Sequence, residues 1–373
     1  MYLPPEVEIL VPSDLDADIT VNERSDIIQL LNILFFKNNR VRHEIRKHGC
    51  IEMSDTNKGT YPIRLLVTGG CGFIGSNFIN WVSEIYPDAT IINLDCMNYC
   101  ARKDNVERKG QNYTLIESKI QEPGVVSKIL NKYMITHVVH FAAQSHVDAS
   151  FINTGLFVDD NIIATHTLLE ACKEYAKLEL FVCVSTDEVY GDSNLGIGEC
   201  KTEKSNLNPT NPYAATKAAS EMLALSYYYS FKLPVIITRS NNVYGRNQYN
   251  EKLIPKFISL LKAGKKCTIH GDGSYTRSFI HTYDVCTALD TIIQKGVIGE
   301  IYNIGSKNEY TVIQIATKLI NAIHQGENVS DWLEYVPDRF FNDTRYQICF
   351  DKLCSLGWKE VIDFDKGLLD LVI

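Results

Sequence analysis

The chain has 373 residues, 45% of them hydrophobic and 22% charged, and a formal net charge of −8 at neutral pH. That composition suits a globular protein of two or three domains, and the net negative field disfavours nucleic acid and anionic membrane surfaces as partners. No apolar run approaches the roughly 18–20 residues that cross a bilayer, so no membrane partner is expected either.

Residues 1–62 differ in character from the rest. Two prolines (Pro4, Pro5) are followed by an acidic stretch with Asp14, Asp16, Asp18, Glu23 and Asp26, and then by a predicted helix over 25–47. The apolar run at 27–36 carries Gln29 and Asn32, and its acidic flank is wrong for a secretory signal. This extension holds no chemical motif, and Met53 is a second candidate start. The first 52 residues are expected to be dispensable for catalysis; a chain begun at Met53 that folds without turning over would refute this. The 11 cysteines are scattered, without a Cys-x-x-Cys pair, and Cys172, Cys183 and Cys286 sit inside apolar runs. They read as buried thiols in a reducing compartment, the cytoplasm. Cys96 and Cys100 have no matching ligand pair nearby, so no metal site is expected.

From residue 63 the pattern turns to alternating strands and helices. Strands are predicted at 63–68, 90–94, 114–117, 137–141, 180–185 and 235–239. Helices are predicted from the glycines to about residue 86, over 125–132 and over 161–177. Such alternation gives a doubly wound, parallel Rossmann-type α/β sheet. Beyond Asn242 the elements shorten, which predicts a smaller C-terminal α/β domain covering a substrate. The expected boundaries are 1–62 for the extension, 63–242 for the dinucleotide-binding domain and 243–373 for the substrate domain.

The first strand runs into VTGGCGFIG, which places Gly69, Gly72 and Gly75 in a G-x-x-G-x-x-G spacing at the start of a helix. Glycines are needed where a pyrophosphate approaches the backbone, and the free N–H groups of the helix start face its charge. Asp95 closes the next strand, about 20 residues on, where a carboxylate binds ribose hydroxyls and repels a 2′-phosphate. The cofactor is therefore expected to be NAD.

The fifth strand ends in Thr186-Asp187-Glu188. Adjacent acids after a strand are ordinarily a solvated turn, but ligands bind beyond the carboxyl ends of the strands in an open parallel sheet. A helix follows, with Asn211 and Pro212 as its cap and first residue, and carries Tyr213 and Lys217 four apart on one face. An ammonium near a phenol favours the phenolate, a base suited to taking an alcohol proton as hydride leaves the carbon. Tyr228 and Lys232 repeat the spacing deep in the same helix and read as packing and surface residues.

Together these motifs resemble the extended short-chain dehydrogenase/reductase family. HFAAQSHVD at 140–148, STDEVYG at 185–191, NPYAATK at 211–217, EKLIP at 251–255 and GDGSYTRSF at 271–279 are similar, in this order, to the dTDP-glucose 4,6-dehydratases. NNVYG, KFISLLKAGKKCTIHGDG and FNDTRY look closest to the animal dTDP-glucose and plant UDP-glucose branches. The resemblance implies a nucleoside-diphosphate-glucose substrate and a homodimer, its helices near 165–175 and 221–229 pairing across a two-fold axis. It further implies that Gly69, Gly72, Phe73, Ile74, Gly75, Asp95, Ile120, Ala142, Ala143, Ser145, Asn161, Tyr213 and Lys217 hold NAD. Ser145, His146, Thr186, Asn242, Lys252, Leu253, Arg277 and Arg339 would hold the substrate, although either arginine could instead serve a structural ion pair.

The chemistry it implies assigns a role to each group at the two motifs. Tyr213, helped by Thr186 and Lys217, takes the O4 proton while C4 gives up hydride. Glu188 removes the C5 proton made acidic by the new ketone, and Asp187, held protonated, donates to the departing C6 hydroxyl. Two neighbouring carboxyls that share one proton divide into an acid and a base.

Four positions depart from the family pattern. Ser118-Lys119-Ile120 stands where Gly-Asp-Ile is usual, which questions one adenine contact; Arg246 and Asn250 replace common prolines, which predicts a looser substrate loop. Nucleotide-sugar epimerases and glucuronate decarboxylases are the competing readings within the family, and a silent NAD-binding regulator the competing class. Epimerases lack the acid pair, the decarboxylases usually have Ser at the place of Asp187, and a silent protein is expected to have lost one of the four reactive side chains.

Overall fold

The computed structural model describes residues 63–107, 112–192, 200–338 and 345–373. The predicted helix at 25–47, Met53 and Arg339 lie outside the described residues.

Seven parallel strands form the main sheet: β1 (Arg64–Thr68), β2 (Thr90–Asp95), β3 (Tyr113–Glu117), β4 (His137–His140), β5 (Leu180–Thr186), β6 (Val235–Ser240) and β10 (Ile301–Ile304). Their order is β10-β6-β5-β4-β1-β2-β3. The order reverses at β1, which pairs with β2 on one side and β4 on the other, leaving the crevice where α/β sheets bind ligands.

Both faces of the sheet are covered. Leu65, Val67, Ile91 and Val182 pack against the Phe73–Ile85 and Thr282–Lys295 helices. Leu66, Ile92, Phe181 and Ile237 face the other way, toward Val125–Tyr133, Ala164–Tyr175 and Pro212–Phe231. Successive side chains of a strand leave on opposite faces, so near-continuous apolar runs are what a doubly covered strand requires.

A smaller layer holds β7 (Asn242–Tyr244), β8 (Cys267–His270), β9 (Thr276–His281), β11 (Glu309–Thr311) and β12 (Leu333–Val336). They form a three-stranded sheet, β11-β9-β7, and a β12-β8 pair. The helices Leu253–Lys262, Val312–Ile323 and Phe364–Val372 cover them, burying Phe257, Leu261, Leu319 and Phe364.

The boundary read at Asn242 does not separate the layers cleanly. β10 and the Thr282–Lys295 helix both come from beyond it, yet β10 extends the main sheet beside β6 and the helix covers it. A four-residue strand carries too little periodicity to be assigned to one layer or the other. No described helix is long and apolar enough to cross a membrane.

Candidate active site

A cavity of about 520 Å³ opens at the carboxyl ends of the strands, running from the glycine turn after β1 to β8 and β9 of the smaller layer. At one end the chain turns at Gly69 with φ +71°, and a Cβ there would lie 2.7 Å from the Ala142 backbone after β4. A Cβ on Gly75 would lie 2.5 Å from the Gly69 carbonyl. Only glycine permits both approaches. The Phe73–Ile85 helix then starts with no side-chain cap, so its first N–H groups face the cavity unclaimed by a cap. These features fit a dinucleotide pyrophosphate.

Asp95 is buried beneath this turn. One carboxylate oxygen accepts the Cys71 N–H at 2.8 Å and the other the Met97 N–H at 2.8 Å. Burial raises its pKa while those two bonds hold it down. It lines the cavity, and each oxygen keeps a lone pair for a ligand hydroxyl. Phe73, Ile74, Ile120, Ala142, Ala143 and Ser145 also line the wall, as do Ser118 and Lys119.

Asn161 differs from the expectation. It is buried behind the wall, with its Oδ1 accepting the Gln144 N–H and its amide donating to the Gln144 carbonyl and the Thr216 hydroxyl. All its polar capacity toward this side is used inside the protein, so it braces the wall rather than lining it.

His140 in HFAAQSHVD is fully buried between two hydroxyls, Thr68 at 2.7 Å from Nδ1 and Thr165 at 2.9 Å from Nε2. Thr165 donates to the Asn161 carbonyl, so it must accept from His140 Nε2–H, and Nδ1 accepts from Thr68. Thr68 in turn accepts the Ala142 N–H at 3.3 Å. Burial, with the Lys217 charge adding to it, lowers the imidazole pKa to about 3, so the ring stays neutral.

β5 ends at Thr186, and a 3-10 turn over Asp187–Tyr190 follows. Thr186 and Glu188 line the cavity together with Tyr213 and Lys217. Asp187 is buried behind them. Its Oδ2 accepts from the Asn241 amide at 2.7 Å, and its Oδ1 lies 3.3 Å from the Thr186 hydroxyl. Burial pushes its carboxyl up to about 7 against the Asn241 bond; Glu188 adds to the rise, and Arg277 and Thr186 oppose it. Glu188 accepts from the Asn211 amide at 3.1 Å, while the Asn211 Oδ1 caps the helix at Ala214 N, 2.8 Å away.

The phenol departs from what the Tyr-x-x-x-Lys spacing predicts. Tyr213 is raised, by burial first and then by the Glu188 and Asp187 charges, with only the Thr186 hydroxyl lowering it. Lys217 is buried and donates to the Val184 carbonyl at 2.6 Å. Burial lowers its own pKa, and Cys183 and Glu221 beside it act to raise it. In the protein alone the carboxylates, not the ammonium, dominate the phenol.

The far wall carries Asn242, Lys252, Leu253 and Arg277. Lys252 donates to the Ser145 carbonyl at 2.7 Å, joining the two layers, and burial lowers its pKa against the raising effect of Glu251 and Glu188. His146 lines the cavity with Nδ1 accepting the Ala149 N–H at 3.2 Å and Nε2 3.6 Å from Glu251. Arg277 stacks on Tyr346, 4.8 Å from its ring centre, with Nη1 on the Thr276 carbonyl.

The loop at 246–250 makes polar contacts at its first two residues. The Arg246 carbonyl accepts from Asn77 at 2.8 Å, its guanidinium pairs with Glu107 at 2.7 Å, and Asn247 donates to the Asn105 carbonyl at 3.2 Å.

Sequence reasoning gave Asn211 only a capping role and Asn241 none. Asn241 sits in a run of polar residues after β6, where nothing in spacing marks its partner. Asn93, which accepts the Gly70 N–H at 3.0 Å, did leave a signal: a lone amide in the apolar strand TIINLD.

The family model for GDP-mannose 4,6 dehydratase matches residues 66–371. The dTDP-D-glucose 4,6-dehydratase of Mus musculus is 46% identical over 315 residues, covering 83% of this chain and 88% of its own. A trifunctional UDP-glucose 4,6-dehydratase, epimerase and reductase of Arabidopsis thaliana is 43% identical over 319 residues, covering 85% of this chain and 47% of its own. Among solved structures, the dTDP-glucose 4,6-dehydratase of Streptomyces venezuelae with NAD bound superposes with a TM-score of 0.78 at 36% identity, covering 83% of this chain and 96% of that one.

Proposed function

This chain belongs to the GDP-mannose 4,6-dehydratase family, and from that premise we propose that it is an NAD-dependent nucleotide-sugar 4,6-dehydratase acting on dTDP-glucose or UDP-glucose. The observation that carries this reading is the asymmetric acid pair at the end of β5: Glu188 on the cavity wall and Asp187 buried behind it with its carboxyl near 7. An epimerase has no use for that pair, since returning hydride to C4 involves no loss of water.

The glycine turn, Asp95 and the Ile120 and Ala142–Ala143 walls would hold NAD. When bound, NAD⁺ supplies the hydride acceptor and a positively charged ring. Tyr213 takes the O4 proton, with Thr186 hydrogen-bonded to the phenol and Lys217 fixing the end of β5 through the Val184 carbonyl. Glu188, aimed by Asn211, removes the C5 proton. Asp187 provides the proton that leaves with the C6 oxygen as water. Lys252 and Arg277 suit the diphosphate, the guanidinium by its planar fork.

The test is to offer dTDP-glucose and UDP-glucose separately and detect the 4-keto-6-deoxy sugar. Absence of product from both overturns the reading, and the preferred base follows from the ratio of kcat/KM.

A homodimer is part of the same reading, supported by exposed apolar side chains on the expected helix, Met222, Tyr229 and Phe231. A monomeric mass at micromolar concentration would refute it. A cytoplasmic setting is supported by the cysteines, all free thiols among the described residues.

A further inference from the structure

Arg239 is the lone charge in β6, VIITRS, and its side chain is 2% exposed. Its Nη2 donates to Glu221 Oε2 at 2.6 Å, its Nε reaches the two Glu221 oxygens at 3.2 and 3.1 Å, and its Nη1 donates to the Tyr190 hydroxyl at 2.8 Å. Tyr190 donates in turn to Asn303 Oδ1 at 2.8 Å, and the Asn303 amide donates to the Cys349 carbonyl at 2.8 Å and the Lys201 carbonyl at 3.3 Å. All four side chains are buried behind the cavity wall. An ion pair buried this deeply adds little stability over apolar side chains of the same volume, so stability alone does not account for it. Its connections do. Glu221 stands one turn beyond Lys217 on the Pro212–Phe231 helix, Tyr190 ends the 3-10 turn of Asp187 and Glu188, and Cys349 follows closely on Tyr346, the ring on which Arg277 stacks.

We propose that Tyr190 is a positioning residue for water loss: it clamps the acid-pair turn between the helix that carries Tyr213 and Lys217 and the segment that carries Tyr346. This inference rests on the dehydratase reading above. The phenol oxygen accepts from Arg239 and donates to Asn303, so the ring is held by two partners on different segments. The Arg239 guanidinium also lies over the ring, 4.7 Å from its centre. Only Val189 separates Tyr190 from Glu188, and the Gly191 N–H closes the turn on the Glu188 carbonyl at 3.1 Å. A shift of the phenol is therefore passed to both acids.

The two halves of the reaction depend on this clamp unequally. Oxidation at C4 uses Tyr213, Thr186 and Lys217, which stand on the helix and at the end of β5. Loss of water uses Glu188 at C5 and Asp187 at the C6 oxygen, while the sugar stays against the groups that oxidised it. The acids must therefore keep register with a helix from another segment, and a misplacement of about 1 Å costs about 100-fold. Arg239 supplies that register, because one planar fork holds Glu221 of the helix and Tyr190 of the turn together.

Tyr190→Phe tests this, because it removes one oxygen and keeps the ring. In single turnover, water loss should fall about 10-fold to 100-fold, and exchange of the C5 proton with deuterated solvent should slow with it. Oxidation at C4, followed as bound NADH, should stay within about threefold of the parent, so that NADH accumulates. Should the phenylalanine variant fail to fold or to retain NAD, Arg239→Lys keeps a cation for Glu221 but has no fork to span to Tyr190, and the same split between oxidation and water loss is expected. A lower urea midpoint with water loss unchanged marks a merely structural role and overturns the inference, as does equal loss of both steps. The parent enzyme separates the two failures: no 4-keto sugar from it sinks the dehydratase reading, whereas normal turnover alongside an unaffected Tyr190→Phe sinks only this assignment.

Discussion

Replacing Asp187 by Asn removes the acid while keeping its shape, and the structure sets the size of two separate effects. The first is on rate. A positioned general acid contributes about 10²–10⁴-fold, or roughly 3–5 kcal/mol of barrier, and Tyr213 and Glu188 keep their places. Water loss should fall by that factor, while the first hydride transfer changes little and bound NADH accumulates. The second effect is on stability. Burial lifts the Asp187 carboxyl from 3.8 to about 7, so the folded protein holds this proton more tightly than the unfolded chain does. The stability this group contributes is complete below its unfolded pKa and is lost as pH rises through about 7, a difference of roughly 4 kcal/mol at most. The neutral amide escapes that loss. Relative to the parent, Asp187→Asn should therefore gain stability between about pH 4 and 7 and keep the gain above, as read by urea unfolding at several pH values. Its slow water loss should also lack the fall that the parent shows above about pH 7. If C4 oxidation collapses as far as water loss, or if the stability difference does not grow with pH, the assignment of a buried proton to Asp187 is wrong.

Other substitutions probe the neighbouring groups. Tyr213→Phe should suppress NADH formation by about 10²–10⁴-fold while leaving NAD affinity nearly unchanged, measured by stopped-flow absorbance and calorimetry. Glu188→Gln should stall after oxidation and abolish exchange of the C5 proton with deuterated solvent; continued exchange would move the base elsewhere. Gly75→Ala places a methyl 2.5 Å from the Gly69 carbonyl, and calorimetry should show NAD affinity lowered at least tenfold. Lys119→Asp restores the acid usual beside adenine, and one added hydrogen bond should tighten NAD by about threefold to tenfold; weaker binding would show that Lys119 has its own role there.

What could be read from the chain follows the range of the physics involved. Strand and helix patterns, the glycine turn and the Asn211 cap depend on a few neighbouring residues, and the six strands before Asn242 lie within a residue or so of their predicted bounds. β10 escaped because four residues, Asn303 among them, carry no usable period and its partner, β6, ends some 60 residues earlier. The state of Tyr213 escaped for a different reason. The i and i+4 spacing puts Lys217 on the same helix face, but the balance of charge at the phenol is set by Glu188 and Asp187, which arrive from β5. Asn161 shows the limit of resemblance. A motif fixes where a residue stands in the chain, whereas the Gln144 and Thr216 groups that use up its amide belong to other segments.

The same contrast explains how two adjacent acids come to do opposite work. On a 3-10 turn, successive side chains diverge by about 120°, so Asp187 and Glu188 cannot face one way even though they are neighbours. The turn sends one under β6 to Asn241 and the other out to the wall beside Asn211. Swapping the two residues, Asp187→Glu with Glu188→Asp, keeps both carboxyls and the net charge but puts the longer side chain in the buried slot. If the turn creates the asymmetry, the double variant should lose water elimination by at least tenfold, because each acid is misplaced by one methylene, yet still reduce NAD with nucleotide-glucose. If acid identity alone mattered, turnover would survive the exchange.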